Sequence, residues 1–320
     1  IELPKDTYAY TEPTDEVTRP PETEAAQTTE APTETTIPPM SADDIVNILF
    51  VGQAARAGEE ALNADSTMLV SINTYTKEIT CMSILRDSYV KLPDYKGHTC
   101  GRSKFTFCYN LGYQWGGGVA GGMEMTNICL KDNFGIEVDY NVEISFDSFI
   151  KMIDYIDGID IELTQAEADY LNKDTLYVKR TIEPGIQRLQ GMEALSYARM
   201  RKAAGDSESD IKRTARQRKV VEALLEKFRY MSLSKLNNWV DILMPMVTTT
   251  MTPGDVTKLA AKILPMLPEM KMSGTTVPME GWGDMVDVDK DGQLDSVMRF
   301  DTAKEKKLIR AITEAEVSTD

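Results

Sequence analysis

Ile45-Val-Asn-Ile-Leu-Phe-Val51, closed by Gly52, is the stretch whose reading decides the fold. An amphipathic strand would alternate apolar and polar residues. This run is almost continuously apolar and short, the pattern of a strand buried on both faces inside an α/β sheet. Residues 67–72 and 78–84 follow as two further strands, joined by the polar turn Asn73-Thr-Tyr-Thr-Lys77. Apolar residues then recur at helical spacing over 119–132, and 138–144 is again a strand. Ser145 is placed to cap a helix whose Phe146, Phe149, Ile150 and Ile153 form one apolar face, with Asp147 in its first turn and Gly158 beyond its end. A strand at 159–163 precedes helices at 165–172, 191–200, 210–230 and 252–264, an edge hairpin around 275–300, and a closing helix at 302–314. Strands and helices mixed throughout specify an α/β or α+β sandwich around a central sheet.

The chain has 320 residues, 42% hydrophobic and 27% charged, enough apolar material for one large domain. Its net charge of −16 argues against binding nucleic acid, because a broadly acidic surface repels a polyanion. Residues 1–40 stand apart, with seven of the fourteen prolines, ten threonines, and nine acids against two bases. Such a segment cannot bury enough apolar surface to offset its ordering entropy, and reads as a disordered, extended linker. Residues 41–320 are then one domain. No apolar run approaches the ~18 residues of a membrane span. A chain opening in such a linker reads as the outer part of a protein held to a membrane by an N-terminal anchor not included here.

Four cysteines, Cys81, Cys100, Cys108 and Cys129, fall close together. They are compatible with two disulfides in an exported protein, with all three pairings open. The only histidine is His98, and no CxxC occurs, which argues against zinc and against a Ser–His–Asp mechanism.

Chemistry concentrates elsewhere. Between Arg199 and Lys219 lie eight basic residues: Arg199, Arg201, Lys202, Lys212, Arg213, Arg216, Arg218 and Lys219. Arginine concentrated in an acidic protein suits a phosphate or pyrophosphate, whose oxygens a guanidinium grips in pairs. Arg213, Gln217, Val220, Leu224 and Phe228 form one helical stripe, apolar toward its C-terminal end and so inward-facing there. Its first turn therefore aims Arg213 and Gln217 inward, with Arg216 beside them, and Arg199 and Arg201 reach the same place across the 202–209 loop. Arg86-Asp87 ends an otherwise apolar strand and calls for a charged partner or ligand. Asp65 opens the strand before it, where an acid suits a turn, a base or a metal. These clusters sit at element ends on one rim of a sheet, where α/β sites lie.

Gly52…Asp65-Ser-Thr-Met-Leu-Val, Ser83-Ile-Leu-Arg86-Asp87, the Lys104 segment, Ile159-Asp-Ile-Glu-Leu, Leu189-Gln-Gly-Met-Glu-Ala-Leu-Ser-Tyr-Ala-Arg199-Met-Arg201 and Asp210…Arg213…Arg216-Gln217 resemble, in order and spacing, the LytR–CpsA–Psr family. The resemblance implies an α/β/α sandwich with a mixed central sheet and an apolar lipid pocket. It implies transfer of a glycopolymer, such as teichoic acid or capsule, from a polyprenyl-pyrophosphate carrier to peptidoglycan, outside a membrane to which the chain is anchored. By the same resemblance Arg86, Arg199 and Arg201 are the pyrophosphate-binding and catalytic arginines, and Lys104 their accompanying lysine. Arg213, Arg216 and Gln217 are further lining, Asp65 a magnesium ligand, and Asp87 an orienting group or base. The same residues would also serve a protein that only holds the carrier, or a pyrophosphatase acting on it.

The chain departs from the family pattern at telling places. Ala54 stands where a second metal aspartate is usual, although Arg56 is retained. Magnesium takes only one or two carboxylates beside phosphate oxygens, so losing one weakens the site. Leu85 replaces a proline, and Thr106 an asparagine. Residues 113–122, glycine-rich around Trp115, read as a flexible insertion or, alternatively, a mobile rim over the lipid pocket. Asp287, Asp289, Asp291, Gly292 and Asp295 match the opening of a calcium loop, with Met298 where a bidentate glutamate is expected; the other reading is an acidic hairpin turn.

Overall fold

The computed structural model describes residues 40–53, 64–201, 210–229, 233–290 and 293–314. The linker expected at 1–40 (all but Met40), Ala54, Arg56 and the 202–209 loop lie outside them. Residues 39–320 form one compact unit.

The first strand, β1 (Ile45–Gln53), pairs antiparallel with β2 (Ala64–Asn73), and β2 with β3 (Glu78–Ile84). Two three-residue strands, β4 (Tyr89–Lys91) and β5 (Arg102–Lys104), lead into the helical pair α1 (Thr106–Gly116) and α2 (Val119–Phe134). Next come β6 (Tyr140–Ser145), parallel to β1, and α3 (Phe146–Tyr155). A small ribbon of β7 (Ile159–Leu163) and β8 (Gly185–Leu189) flanks α4 (Gln165–Lys173) and is followed by α5 (Gly191–Arg199), α6 (Asp210–Arg229) and α7 (Leu233–Leu243). The short edge strand β9 (Thr248–Thr249), α8 (Pro253–Ile263) and β10 (Lys271–Val277) precede a hairpin of β11 (Gly283–Lys290) and β12 (Gln293–Phe300), and α9 (Thr302–Thr313) closes the chain. The main sheet runs β10-β3-β2-β1-β6-β9, with parallel and antiparallel pairs mixed.

The central run is buried on both faces, as its pattern demands. Leu49 and Val51 pack with α1 and α2 in one core, while Ile48 and Phe50 face a second core that includes residues of α6 and α8. Helices on both faces of a mixed sheet make the α/β/α sandwich. Ser145 caps α3 as expected, its Oγ accepting from the Ser148 amide at 3.2 Å. Leu85 explains its own departure from proline: its amide donates to Val277 O at 2.9 Å, extending the β3–β10 pairing with a donor that proline lacks.

The glycine-rich segment is not a flexible insertion. Gly112 and Gly116 of α1 lie against Gly121 and Gly122 of α2 so closely that a Cβ on Gly121 would stand 2.4 Å from Gly112 O and from Gly116 Cα. The glycines permit a tight helix crossing, and Gly117 and Gly118 turn the chain at φ 81° and 93°. The four cysteines are free thiols, three of them buried. Cys108, Cys129 and the half-buried Cys100 belong to the core beneath this helical pair, whereas Cys81 lies in the core across the sheet. The chain pairs none of them.

Candidate functional site

Beneath the sheet face carrying Ile48, Phe50, Met68 and Val70 lies an apolar cavity of about 880 Å³. That is toward the upper end of the ~300–1,000 Å³ common for ligand pockets. Its other walls are Phe149 and Met152 of α3, Val220, Leu224 and Phe228 of α6, and Leu259 and Ile263 of α8. The stripe read from the sequence lines it without a break. Arg213 and Gln217, at the head of that stripe, line the same cavity together with Arg199, Arg201 and Ser66. One end is thus cationic while the walls are aliphatic and aromatic.

At that end the cavity meets a second, polar cleft, lined by Arg86, Thr106, Asp210 and Thr214 and sharing Ser66 and Arg213 with it. Here the charges alternate along a chain. Asp210 Oδ2 lies 2.5 Å from Arg86 Nε and 3.3 Å from Arg213 Nη2. Asp87 lies 3.4 Å from Arg86 Nε and 3.5 Å from Lys104 Nζ, and Lys104 lies 2.6 Å from Asp295 Oδ1. Burial alone would lower the Lys104 pKa, but the Asp295 and Asp87 carboxylates outweigh it and raise the value above the ordinary lysine range. Arg213, Asp210, Arg86, Asp87, Lys104 and Asp295 form a continuous row of three cations and three carboxylates.

Arg199 is held differently. Its guanidinium lies over Phe146, 4.8 Å from the ring centroid, and over Tyr177 at 5.5 Å, and its Nη1 donates to the Tyr177 hydroxyl at 2.9 Å. Aromatic faces orient a cation without neutralising it. Arg201 is exposed at the same end. Gln217 is a tether: its Oε1 accepts from Ser66 Oγ at 2.8 Å, which ties α6 to β2.

Arg86, Asp87, Lys104 and Arg213 are therefore brought together, and Arg199, Arg201 and Gln217 border the adjoining cavity. Arg216 is not with them. It is buried, with Nε donating to Glu167 Oε1 at 2.9 Å and Nη1 to Met200 O at 3.3 Å, so it joins α6 to α4. Phe146, Tyr177 and Ser66 were missed as site residues. The first two carry no local signal, since they come from separate elements.

The metal readings fare unequally. Asp65 lies on β2, its side chain outside the described residues. The neighbouring carboxylates Asp87, Asp210 and Asp295 each face a cation, so among the described residues none stands ready as a second ligand. Magnesium can be held by one carboxylate together with substrate phosphates. The calcium reading does not gather its residues. They lie on extended strands, where Asp287 and Asp289 share one face while Asp295, opposite Val288, takes the other and meets Lys104. Asp291 lies outside the described residues. Among those described, no group of three His, Cys, Asp or Glu residues is placed to hold a metal.

Known proteins share this fold. The polyisoprenyl-teichoic acid–peptidoglycan teichoic acid transferase TagT of Bacillus subtilis is 32% identical over 204 residues, covering 62% of this chain and 57% of its own. The chain thus spans little more than half the length of that relative. A structure of TagT bound to LIIa-WTA superposes with a TM-score of 0.64 at 24% identity, over 85% of this chain and 92% of its own. Another, with bound octaprenyl pyrophosphate lipid, has a TM-score of 0.60 at 21% identity, over 85% and 91%. At these identities the structures show a shared fold. The LytR_cpsA_psr family model matches residues 11–306, and the chain belongs to the LytR–CpsA–Psr family.

Proposed function

We propose that this chain transfers a glycopolymer phosphate from a polyprenyl-pyrophosphate carrier to peptidoglycan. The observation that carries the reading is the junction of the aliphatic cavity with the cationic cleft at Ser66 and Arg213. A ligand matching both has a long apolar tail and a polyanionic head, which describes a polyprenyl pyrophosphate. The relatives support this, since TagT is named a teichoic acid transferase and one of its structures holds octaprenyl pyrophosphate.

In the proposed step a sugar hydroxyl oxygen of the acceptor attacks the glycan-bearing phosphorus. The bond from that phosphorus to the bridging oxygen breaks, polyprenyl monophosphate leaves, and the hydroxyl proton passes to solvent water. Arg86, Arg213 and Lys104 spread the charge that develops on the phosphate oxygens, and Arg199 and Arg201 hold the pyrophosphate at the cavity end. Asp87, between Arg86 and Lys104, is placed to orient both cations, a better match to its geometry than accepting a proton. Asp65 is the residue we assign to Mg2+, which would offset charge on the pyrophosphate. The active domain is placed outside the cell membrane, the donor side being the membrane and the acceptor the wall. No helix among the described residues is long and apolar enough to cross a membrane.

Ala54, in place of a second metal aspartate, favours one other reading: a carrier-binding protein with little turnover. Mass spectrometry of the chain with Mg2+, a polyprenyl-pyrophosphate saccharide and a peptidoglycan oligomer separates the two. A glycan–phosphate adduct absent with Arg199→Ala supports transfer. Released lipid phosphate alone indicates a pyrophosphatase, and intact bound substrate a carrier-binding protein.

A further inference from the structure

The β11–β12 hairpin forms a sheet of its own, yet through Asp295 it joins the row of ion pairs that runs on from the cleft. Its Met298 amide donates to Asp87 O at 2.8 Å, and Met298 forms a parallel bridge with Ser88. Val297 is buried at this contact, 1% exposed. Side chains two apart on a strand share a face, so the docking that buries Val297 also turns Asp295 inward. Asp295 lies 2.6 Å from Lys104, nearer than Asp87 at 3.5 Å. Among the described residues three groups bear on Lys104: Asp295 from β12, Asp87 from the turn after β3, and Tyr89 opposite it on β4.

We infer that Asp295 is a positioning residue that holds Lys104 beside the cleft, one carboxylate away from Arg86, and competes for it with the anionic group of the ligand. The inference rests on the cleft being the pyrophosphate site. A phosphate oxygen taking Lys104 comes as a third anion to an ammonium that Asp295 and Asp87 already share, so it competes with the nearer carboxylate, Asp295, for that contact. Ligand binding therefore exchanges an internal partner for an external one, and site occupancy is coupled to the hairpin. Asp295 lowers resting affinity for an anion while keeping the lysine in the position the reaction uses.

The competition has a sign that lost structure does not imitate. Inorganic pyrophosphate binding, measured by titration calorimetry on the whole chain, should be about three- to tenfold tighter in Asp295→Asn than in wild type, a gain of roughly 0.7–1.4 kcal/mol. Asp295→Glu should bind like wild type, and adding Lys104→Ala to Asp295→Asn should remove the gain. Asp295→Ser is the second variant should the amide fold poorly, with the same tightening expected. Unchanged or weaker binding in folded Asp295→Asn or Asp295→Ser overturns the inference. Wild type that binds no pyrophosphate overturns the site reading itself, a different failure. In the transfer assay, Asp295→Asn should lower kcat while KM holds or falls, and the alkaline limb of kcat should move to lower pH as Lys104 loses a carboxylate partner. A matched change in kcat and KM would instead mark a purely structural role.

Discussion

Arg216 and Glu167 form an ion pair at 2.9 Å with both side chains under a tenth exposed, although Arg216 is one turn from Arg213 on the same helix. The two arginines do different work. Arg213 serves the cleft, while Arg216 fastens α6 to α4, and its guanidinium holds the Glu167 carboxyl below the usual range against the opposing effect of burial. A lowered carboxyl value contributes stability above its unfolded pKa, which is lost as pH falls through the folded one.

Removing Arg216 leaves a buried charge without its partner. Arg216→Ala should therefore cost about 3–5 kcal/mol of folding stability, read by urea denaturation. Arg199→Ala, with its guanidinium at the cavity end, should leave folding stability within ~0.5 kcal/mol of wild type while removing transfer. Equal stability losses in the two would contradict the division of labour between them.

The cavity and the cleft should be separable. Ala260 lines the apolar cavity away from the arginines. Ala260→Trp should weaken binding of a polyprenyl phosphate at least tenfold, by filling space the tail needs, and leave inorganic pyrophosphate binding unchanged. Fluorescent-lipid displacement measures the first and calorimetry the second. Loss of both would mean the cleft depends on an open cavity.

At the α1–α2 crossing no room remains for even one methyl group. Gly121→Ala should destabilise by about 1–3 kcal/mol or more, since a helix must shift to admit the Cβ. Because α1 begins two residues after Lys104, the same change should also weaken pyrophosphate binding. A variant as stable as wild type would show that the crossing can open at little cost.

Glu143 offers a test on the opposite face of the sheet from the cavity. Tyr109 donates to its Oε2 at 2.6 Å, and burial pushes the Glu143 carboxyl above its ordinary value of 4.5, partly offset by that hydrogen bond. A raised carboxyl value favours the protonated native form, so its contribution to stability is present at low pH and lost as pH rises through the folded value. Glu143→Gln keeps an acceptor for Tyr109 and should raise Tm at pH 7, with the gain disappearing near pH 4. A constant gain across that range would point to packing rather than ionisation.

Much of this architecture was legible in the residues. The double-faced apolar run at Ile45–Val51 placed the central strand, the Ser145 cap placed α3, and the stripe from Arg213 to Phe228 foretold the wall of the cavity and the residues at its head. Each signal is local and periodic, and each is enforced by burial. The misses share a different cause. Helix α1 was hidden because Gly112 and Gly116 are poor helix formers; their value is a contact with another helix, which no window of sequence contains. The three-residue strands β4 and β5 are too short to show a period. Arg216 was grouped with its neighbours because helical spacing alone does not reveal that Glu167, on another helix, claims it. Asp295 was read with the acids beside it in sequence, whereas its partner Lys104 lies far away along the chain.

The row from Arg213 to Asp295 makes the cleft a small ion exchanger. Each cation there already carries a counter-ion, and that counter-ion is part of the protein. An incoming polyanion therefore displaces tethered carboxylates rather than mobile salt, so little salt is released to the solution. The part of the affinity that this row supplies should then depend only weakly on ionic strength, which leaves the salt dependence of binding to Arg199 and Arg201 at the cavity end. In a chain of net charge −16, such self-neutralised cations also avoid drawing in every passing phosphate. Selection falls to ligands whose tail compensates for prising the pairs apart.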